Sequence, residues 1–301
     1  LDKIKNAGIV GMGGAGFPTH VKLSPKEPEK IDYVIANCAE CEPYITADYR
    51  RMMETPELLV GGMKVVLSLF DNAKGIFAVE DNKPDAIEAL RRVAGSDARV
   101  CPVRTKYPQG GEKQLIQVLT GRRVPSGGLP MDAGCVVINV STAAAISRAV
   151  REGRPLIERV VTVDGAVGES KNLRVRVGTE IGAVIAQCGG AKEGANKIVL
   201  GGPMMGQCAY DLHTPVTKGV SGVLLLCCHE AERPLGNCIR CGGCVAVCPI
   251  GLMPLTLYAL ARKGLYERAR DAQHLLDCIE CGACAYQCPA RLPLVQYIRV
   301  A

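Results

Sequence analysis

Eight cysteines toward the C-terminal end stand in two runs of the same spacing: Cys238, Cys241, Cys244 and Cys248 before Pro249, and Cys278, Cys281, Cys284 and Cys288 before Pro289. Both read C-x2-C-x2-C-x3-C-P. Three thiolates on one short loop reach three corners of a 4Fe–4S cubane, while the fourth, a helical turn further on, points away toward a second cubane. The spacing therefore predicts one cluster on Cys238, Cys241, Cys244 and Cys288 and another on Cys278, Cys281, Cys284 and Cys248. Gly242, Gly243, Gly282 and Ala283 leave room for a cluster and offer backbone N–H groups to its sulfides. Structural zinc, which takes its four ligands from two separated C-x2-C knuckles, fits this pattern poorly. Two such clusters move electrons but name neither donor nor acceptor.

A second group of residues lies near the N-terminus. Gly11–Met12–Gly13–Gly14–Ala15–Gly16 satisfies G-x-G-x-x-G, yet the dinucleotide fingerprint needs a helix directly behind it, and Pro18 disfavours helix at Phe17. With Lys22 close by, the loop reads as a cradle of N–H groups for a nucleotide phosphate, whether of flavin or nicotinamide; the plainer reading is a glycine-rich turn packed on a sheet. Asn37 to Pro43 follows a strand candidate, placing Glu40 and Glu42 where α/β sheets bind ligands and where carboxylates accept bonds from ribose hydroxyls; a solvated turn is the alternative. Cys38 and Cys41 form C-x-x-C, read here as two small packed residues rather than a redox disulfide. Tyr107 to Lys113 opens a helix, with Gly110 and Gly111 allowing close approach and Glu112 in the first turn. Asn139, Ser141 and Thr142 end another strand, placed either to bond a ring or ribityl chain or to cap the next helix.

The elements that must carry these groups fall into three regions. Residues 1–155 alternate strand candidates Tyr33–Ala36, Gly75–Val79 and Cys135–Val140 with helix candidates Pro56–Phe70, Pro84–Val93 and Thr142–Glu152, which predicts an α/β layer on a largely parallel sheet. Residues 156–222 are short, β-branched and glycine-punctuated: strands Arg159–Val163, Leu173–Val177 and Lys197–Leu200, with a helix at Ile181–Cys188. Residues 223–301 hold both quartets, joined by a stretch of helical apolar spacing that Gly264 divides into two helices.

A length of 301 residues, 48% hydrophobic and 22% charged, fits a globular chain of two or three domains. The net charge of +6 never gathers into the basic stripe that nucleic-acid binding requires, so no nucleic-acid partner is expected. The longest apolar run, Val220–Cys228, is too short to span a membrane. Sixteen cysteines, eight of them at metal-ligand spacing, and no signal sequence point to a reducing cytosol. Leu1 begins just before a motif, and the natural chain is expected to extend upstream.

In order, GMGGAGFPTHVK, NCAECEPY, YPQGGEK, VINVSTAA, LGGPMMG and the two quartets resemble the C subunit of the Rnf complexes, ion-translocating ferredoxin:NAD⁺ oxidoreductases, over essentially the whole length. The first region is also similar to the NADH-binding flavoprotein subunit of respiratory complex I. The resemblance implies a Rossmann-like FMN and NAD(H) domain over 1–155, a soluble-ligand-binding (SLBB-type) β-grasp domain over 156–222 and a helical two-cluster ferredoxin domain over 223–301. It assigns Gly11, Gly13, Gly14, Gly16, Lys22, Asn37 and Asn139 to FMN, with Ser141 and Thr142 beside them. Glu40 falls where related flavoproteins bind flavin or nucleotide. Glu42 matches their NADH-ribose acid and Phe17 their adenine-stacking ring. Tyr107, Gly110 and Gly111 match flavin contacts, and Glu112 an acid beside the flavin, here given the catalytic role. Two departures stand out: Gly111–Glu112 replaces two adjacent acids, and Ser24–Pro25 stands where a second aromatic lies. The implied role is an oxidoreductase subunit that exchanges hydride with NAD(H) at FMN and passes single electrons through its clusters. Its partners would be the other Rnf subunits and, through them, ferredoxin; pumping of Na⁺ or H⁺ belongs to the complex. It would sit peripherally on the cytoplasmic face of the membrane. The flavin and cluster motifs are similar, too, to a cobalamin reductase of propanediol-degrading microcompartments, although RLPLVQYIRVA and DLHTPVTKGVSG resemble the Rnf side more. A cluster relay that binds no nucleotide is the alternative from another class.

Overall fold

The computed structural model describes residues 1–96, 98–227 and 234–301; Cys228, which closes the apolar run, and the residues up to 233 in the expected cluster domain lie outside them. The chain forms two compact units. The first holds Leu1–Val124 and Leu129–Cys227; the second holds Pro125–Gly128 together with the C-terminal residues from 234 onward.

The first unit begins with α1 (Asp2–Asn6), α2 (Thr19–Lys22), β1 (Tyr33–Cys38), α3 (Ala47–Glu54), α4 (Pro56–Leu67), β2 (Lys74–Glu80), α5 (Pro84–Ala94), β3 (Ala98–Val103), α6 (Glu112–Thr120), β4 (Cys135–Asn139) and α7 (Val140–Glu152). The four strands are parallel in the order β3-β2-β1-β4. A strand covered on both faces reads as a continuous apolar run, which is why β1, β2 and β4 stand out in sequence. One face of the sheet, with Val34, Ala36, Phe77, Val79, Val136 and Ile138, packs on α4, α5 and α7. The other, with Ile35, Ala78, Val103 and Val137, packs on Leu115 and Ile116 of α6. Helices α4 and α7 touch backbone to backbone at Gly62, where any Cβ would collide with the Ala143 carbonyl.

The strand order reverses at β1. The chain steps outward from β1 to β2 and β3, then crosses back to place β4 on the other side of β1. Ligands of open α/β sheets bind in the crevice such a reversal opens at the carboxyl ends of the strands. Asn37 and Asn139 are register partners at those two ends.

The same unit continues with β5 (Glu158–Gly165), β6 (Lys171–Arg176), α8 (Ile181–Ala186), β7 (Lys197–Leu200), β8 (Gln207–Cys208) and β9 (Gly222–Leu226) in a mixed sheet of order β6-β5-β9-β7-β8. Its core joins Val161, Val163, Val175, Val223 and Leu225 to Ile181, Val184 and Ile185 of α8. The central strand β9 comes from the apolar run that is too short to span a membrane, and it carries the sheet past residue 222. No helix among the described residues is long and apolar enough to cross a membrane.

The second unit contains α9 (Gly243–Ala246), α10 (Pro254–Arg262), α11 (Tyr266–Gln273), α12 (Ala283–Tyr286) and α13 (Leu294–Val300). Gly264, with φ at +68°, divides α10 from α11 as the spacing predicts. Tyr258 of α10 meets Tyr297 of α13 edge to face, ring centroids 5.0 Å apart. Asp277 accepts hydrogen bonds from Ser126 Oγ and, at 3.1 Å, from Gly127 N, which fastens the loop Pro125–Gly128 beside Cys278.

Candidate cofactor sites

The two quartets share one backbone. Arg240 and Glu280, at matching places in C-I-x-C-G, take φ of 55° and 53°; the following Gly242 and Gly282 take 75° and 78°. A short helix, α9 or α12, starts directly behind each, so Cys241 and Cys244, or Cys281 and Cys284, face one space. The first cavity is lined by Cys238, Cys241, Cys244 and Cys288. The second is lined by Cys278, Cys281, Cys284 and Cys248. Each cavity thus takes three cysteines from one loop and the fourth from the other. Leu255, Leu292 and Leu294 wall the first and Leu252, Leu257 and Ile298 the second. Leu252 N donates to Cys248 Sγ at 3.3 Å and Glu280 N to Cys278 Sγ at 3.4 Å; N–H bonds to ligand sulfur raise a cluster's potential. A donor set of four thiolates around an apolar space fits a 4Fe–4S cluster in each cavity.

At the sheet reversal, the glycine loop is a closed lobe. Gly11 N donates to Phe17 O at 2.8 Å, and Val10 bridges Pro18. Buried Met12 ties the lobe down, its N–H donating to Thr142 Oγ1 at 2.9 Å. A Cβ on Gly13 would crowd Asn139, whereas Gly14 and Gly16 face open space, Gly16 with φ at +67°. Phe17 is half-exposed. Behind the loop comes the four-residue α2 rather than a dinucleotide-type helix, as Pro18 dictates.

Helix α2 delivers Lys22, whose Nζ lies 2.5 Å from Glu112 Oε1 and 2.9 Å from the Val137 carbonyl. Glu112 opens α6, where a carboxylate is favoured by the helix N-terminus. Asn37 Nδ2 donates to Gly110 O at 2.7 Å, and its Oδ1 accepts from Ala39 N. A Cβ on Gly110 would sit 2.8 Å from Ala39 O, so the Tyr107–Gly111 loop packs against the turn after β1 with no space for a side chain there. Tyr107 precedes a cis proline. The structure thereby brings Gly13, Lys22, Asn37, Gly110, Gly111, Glu112 and Asn139 around one crevice.

Other expected ligand groups are committed elsewhere. Asn139 Oδ1 caps α7, accepting from Ser141 N and Thr142 N, while its Nδ2 donates to Asp48. Ser141 and Thr142 are buried; Ser141 Oγ donates to Asp48 at 2.5 Å, and Thr142 Oγ1 holds Met12. Of the two roles open to them, the geometry favours support of the loop over contact with a ring or ribityl chain. Glu40 accepts from Asp48 N and Tyr49 N at the start of α3; burial first, then the nearby Asp48 charge, pushes its carboxyl up to about 7. Glu42 accepts from Met204 N at 3.0 Å and Met205 N at 2.8 Å, and burial raises its carboxyl too. LGGPMMG is therefore the turn that grips Glu42.

Three contributors carry no signal in the sequence. Asp48 ties Asn139 to Ser141. Fully buried Arg159 of β5 donates to Lys218 O and, at 3.4 Å, to Met12 O, joining the second sheet to the glycine lobe; burial pulls its guanidinium down to about 10. Gln109 is 1% exposed. Among the described residues, buried Thr19 Oγ1 in α2, Gln109 Oε1 and Nε2 in the loop before α6, and Gln114 Oε1 in α6 have no hydrogen-bond partner. Open glycines followed by the Lys22 cation on the next helix fit a polar, phosphate-bearing cofactor such as FMN.

A nucleotide-type α/β layer, a small mixed sheet and a paired-quartet unit define a class of flavin and iron–sulfur proteins, and similarity to known families agrees. Residues 4–148 match the Nuo51 FMN-binding domain, 160–207 the SLBB domain and 232–289 a 4Fe-4S dicluster domain. The fold aligns with a chain of an NAD⁺-reducing [NiFe]-hydrogenase at TM-score 0.64 and 20% identity, covering 89% of this chain and 53% of that one. The C subunit of the proton-translocating ferredoxin:NAD(+) oxidoreductase complex of Clostridium ljungdahlii is 52% identical over 99% of this chain and 66% of its own length. Its Na(+)-translocating counterpart in Acetobacterium woodii is 49% identical, covering 99% and 68%, and the C subunit of the ion-translocating oxidoreductase complex of Rhodobacter capsulatus is 45% identical, covering 99% and 58%. The chain belongs to the family of Rnf-complex C subunits. It spans about two thirds of the length of the first two relatives and less of the third.

Proposed function

We propose that this chain is the NAD(H)-exchanging electron-transfer part of an Rnf-type ferredoxin:NAD⁺ oxidoreductase, carrying FMN and two 4Fe–4S clusters. The observation that carries the reading is the pair of cavities with exchanged fourth cysteines, in one chain with a nucleotide-type crevice at the sheet reversal. Bound flavin exchanges electrons in pairs as hydride or singly, and 4Fe–4S clusters take them singly, so together they convert between the two currencies.

The protein's own groups position and insulate. The open amides of the glycine lobe and Lys22 hold the FMN phosphate and polar edge; Asn37, Gly110 and Asn139 shape the crevice. Glu112 keeps Lys22 extended and adds a negative charge beside the flavin. Phe17 offers its exposed ring to adenine. Each oxygen of Glu42 keeps a lone pair after binding its Met amide, so it can accept a ribose hydroxyl without releasing the turn. The first cluster is held by Cys238, Cys241, Cys244 and Cys288 and the second by Cys278, Cys281, Cys284 and Cys248, with apolar walls that limit water. The regions 1–155, 156–222 and 223–301 act as flavin, β-grasp and cluster modules. Membrane-embedded and iron–sulfur subunits of the complex are the partners, ferredoxin is reached through them, and Na⁺ or H⁺ translocation lies with them. The chain docks peripherally on the cytoplasmic face.

Anaerobically reconstituted protein should hold about eight irons and about one FMN per chain. Fewer than about five irons, or no flavin retained at micromolar concentration, overturns the reading.

A further inference from the structure

Arg51 lies on α3, one turn beyond Asp48, and no step of the electron path employs it. The residue is 8% exposed, and its Nε, sealed from solvent, has no hydrogen-bond partner among the described residues. A guanidinium stays charged at any working pH and presents a fork of N–H donors. Burying one without a counter-ion costs several kcal/mol, so folded proteins pair such groups. The carboxylates whose charge reaches Arg51 are those of Asp48 and Glu158, and both are engaged elsewhere. Asp48 accepts from Asn139 and Ser141. Glu158 is shared between Arg148 Nη1, at 3.2 Å, and Arg174 Nε, at 3.9 Å.

The strand register shows how these groups meet. In the β5–β6 pair, Val160 stands opposite Arg174 and Thr162 opposite Asn172, on the same side of the ribbon as Glu158. Thr162 Oγ1 accepts from Thr46 N at 3.0 Å, and Asn172 Nδ2 donates to Thr46 Oγ1 at 2.8 Å. Thr46 directly precedes α3, so this is the side α3 lies against. Helix α7 adds Arg148, and Arg159 contributes its charge from the other side of β5. Four guanidinium groups, Arg51, Arg148, Arg159 and Arg174, thus stand against two carboxylates. Burial first, then the Arg148 charge, pulls the Arg51 guanidinium below its ordinary value. The cluster opens on solvent: the side chains of Glu158 and Arg174 are 32% and 64% exposed. Of the Arg51 nitrogens only Nε is both sealed and unbonded, so the Nη end reaches that opening.

We propose that Arg51, Arg148 and Arg174 form a binding site for a phosphate group, free or as a monoester, where α3 and α7 meet the mixed sheet. A doubly charged phosphate matches the excess of positive charge, and its oxygens accept the paired N–H groups of guanidinium forks. The FMN phosphate is served by Lys22 and the glycine lobe, so FMN is loaded before the two sites are tested apart.

The test uses the full chain with clusters and FMN bound, titrated calorimetrically with inorganic phosphate, and separately with glycerol phosphate, in chloride buffer of matched ionic strength. Wild type should bind phosphate at a single site. Tighter binding of glycerol phosphate makes a phosphorylated metabolite the occupant; equal or weaker binding makes it free phosphate. Arg51→Leu should raise the Kd about tenfold or more, the worth of one charged hydrogen bond. Without phosphate it should melt no lower than wild type, because an unpaired buried charge gives way to an apolar side chain. Glu158→Gln removes the competing carboxylate and should lower the Kd. No phosphate binding by wild type overturns the proposal. Equal affinity in wild type and Arg51→Leu does so too, leaving an adventitious ion only. Arg51→Leu that melts lower without phosphate, together with Glu158→Gln that binds no tighter, makes the cluster a structural joint and overturns the site.

Discussion

Replacing Glu40 with glutamine should change how the flavin unit's stability depends on pH. The wild-type carboxyl sits among buried atoms beside Asp48 and titrates near 7 in the folded chain, against 4.5 for an ordinary glutamate. Below about pH 4.5 both states hold the proton and the site is neutral for stability. As pH rises toward 7 the unfolded chain releases the proton first, so the folded state binds more protons and stability falls. A shift from 4.5 to about 7 amounts to a loss of about 3 kcal/mol, complete above pH 7. Between about pH 6 and about pH 8.5, a range that spares the clusters, the change is about 1 kcal/mol, or about 2–4 °C in melting temperature for a unit of this size. Glutamine keeps one acceptor oxygen, for either the Asp48 or the Tyr49 amide, and turns N–H toward the other, a cost independent of pH, and it does not titrate. Glu40→Gln should therefore gain on wild type by that amount when flavin-free protein is melted at the two pH values. Melting curves that move in parallel for the two proteins refute the assigned burial of this carboxylate.

Three further outcomes follow from the geometry. The exchanged ligands predict that Cys238→Ser/Cys288→Ser loses one cluster, leaving about four irons, while Cys238→Ser/Cys248→Ser loses both; iron analysis showing the reverse contradicts the exchange. Glu112→Gln removes a negative charge near the flavin and loosens Lys22, so the flavin potential should rise by about 30 mV, a tenfold change for a two-electron couple, read by redox titration; an unmoved potential and NADH rate remove Glu112 from the site. Tyr44, exposed and held at φ 70°, is strained by its side chain, so Tyr44→Gly should stabilise the flavin unit by about 1 kcal/mol in thermal melting.

What was legible in the sequence was local. Cysteine ligands lie within ten residues of one another on each loop, so their spacing alone anticipates both cavities and the exchanged fourth ligand. Strands β1, β2 and β4 are buried on both faces and read as apolar runs. Strand β3 gives no such run because it is an edge strand whose apolar residues are interrupted by exposed Arg99 and Pro102, a proline that an edge tolerates. Helix α3 was missed because its sequence, ADYRRMME, is mostly polar and its cap, Glu40, comes from the preceding loop. The rest depends on contacts between residues far apart in the chain: Glu42 with Met204, Arg159 with Met12, Lys22 with Glu112. The burial of a polar side chain such as Gln109 depends on what packs around it, which no motif records.

If NAD(H) passes electrons through FMN to clusters held by this one chain, reduction of the flavin and of a cluster must be linked within the isolated protein. An anaerobic titration of the reconstituted protein with NADH, followed by flavin absorbance and by the electron paramagnetic resonance of reduced clusters, tests that link. The flavin should bleach with NADH, and at least one cluster should become reduced as it does. Flavin that dithionite bleaches but NADH leaves oxidised would contradict it.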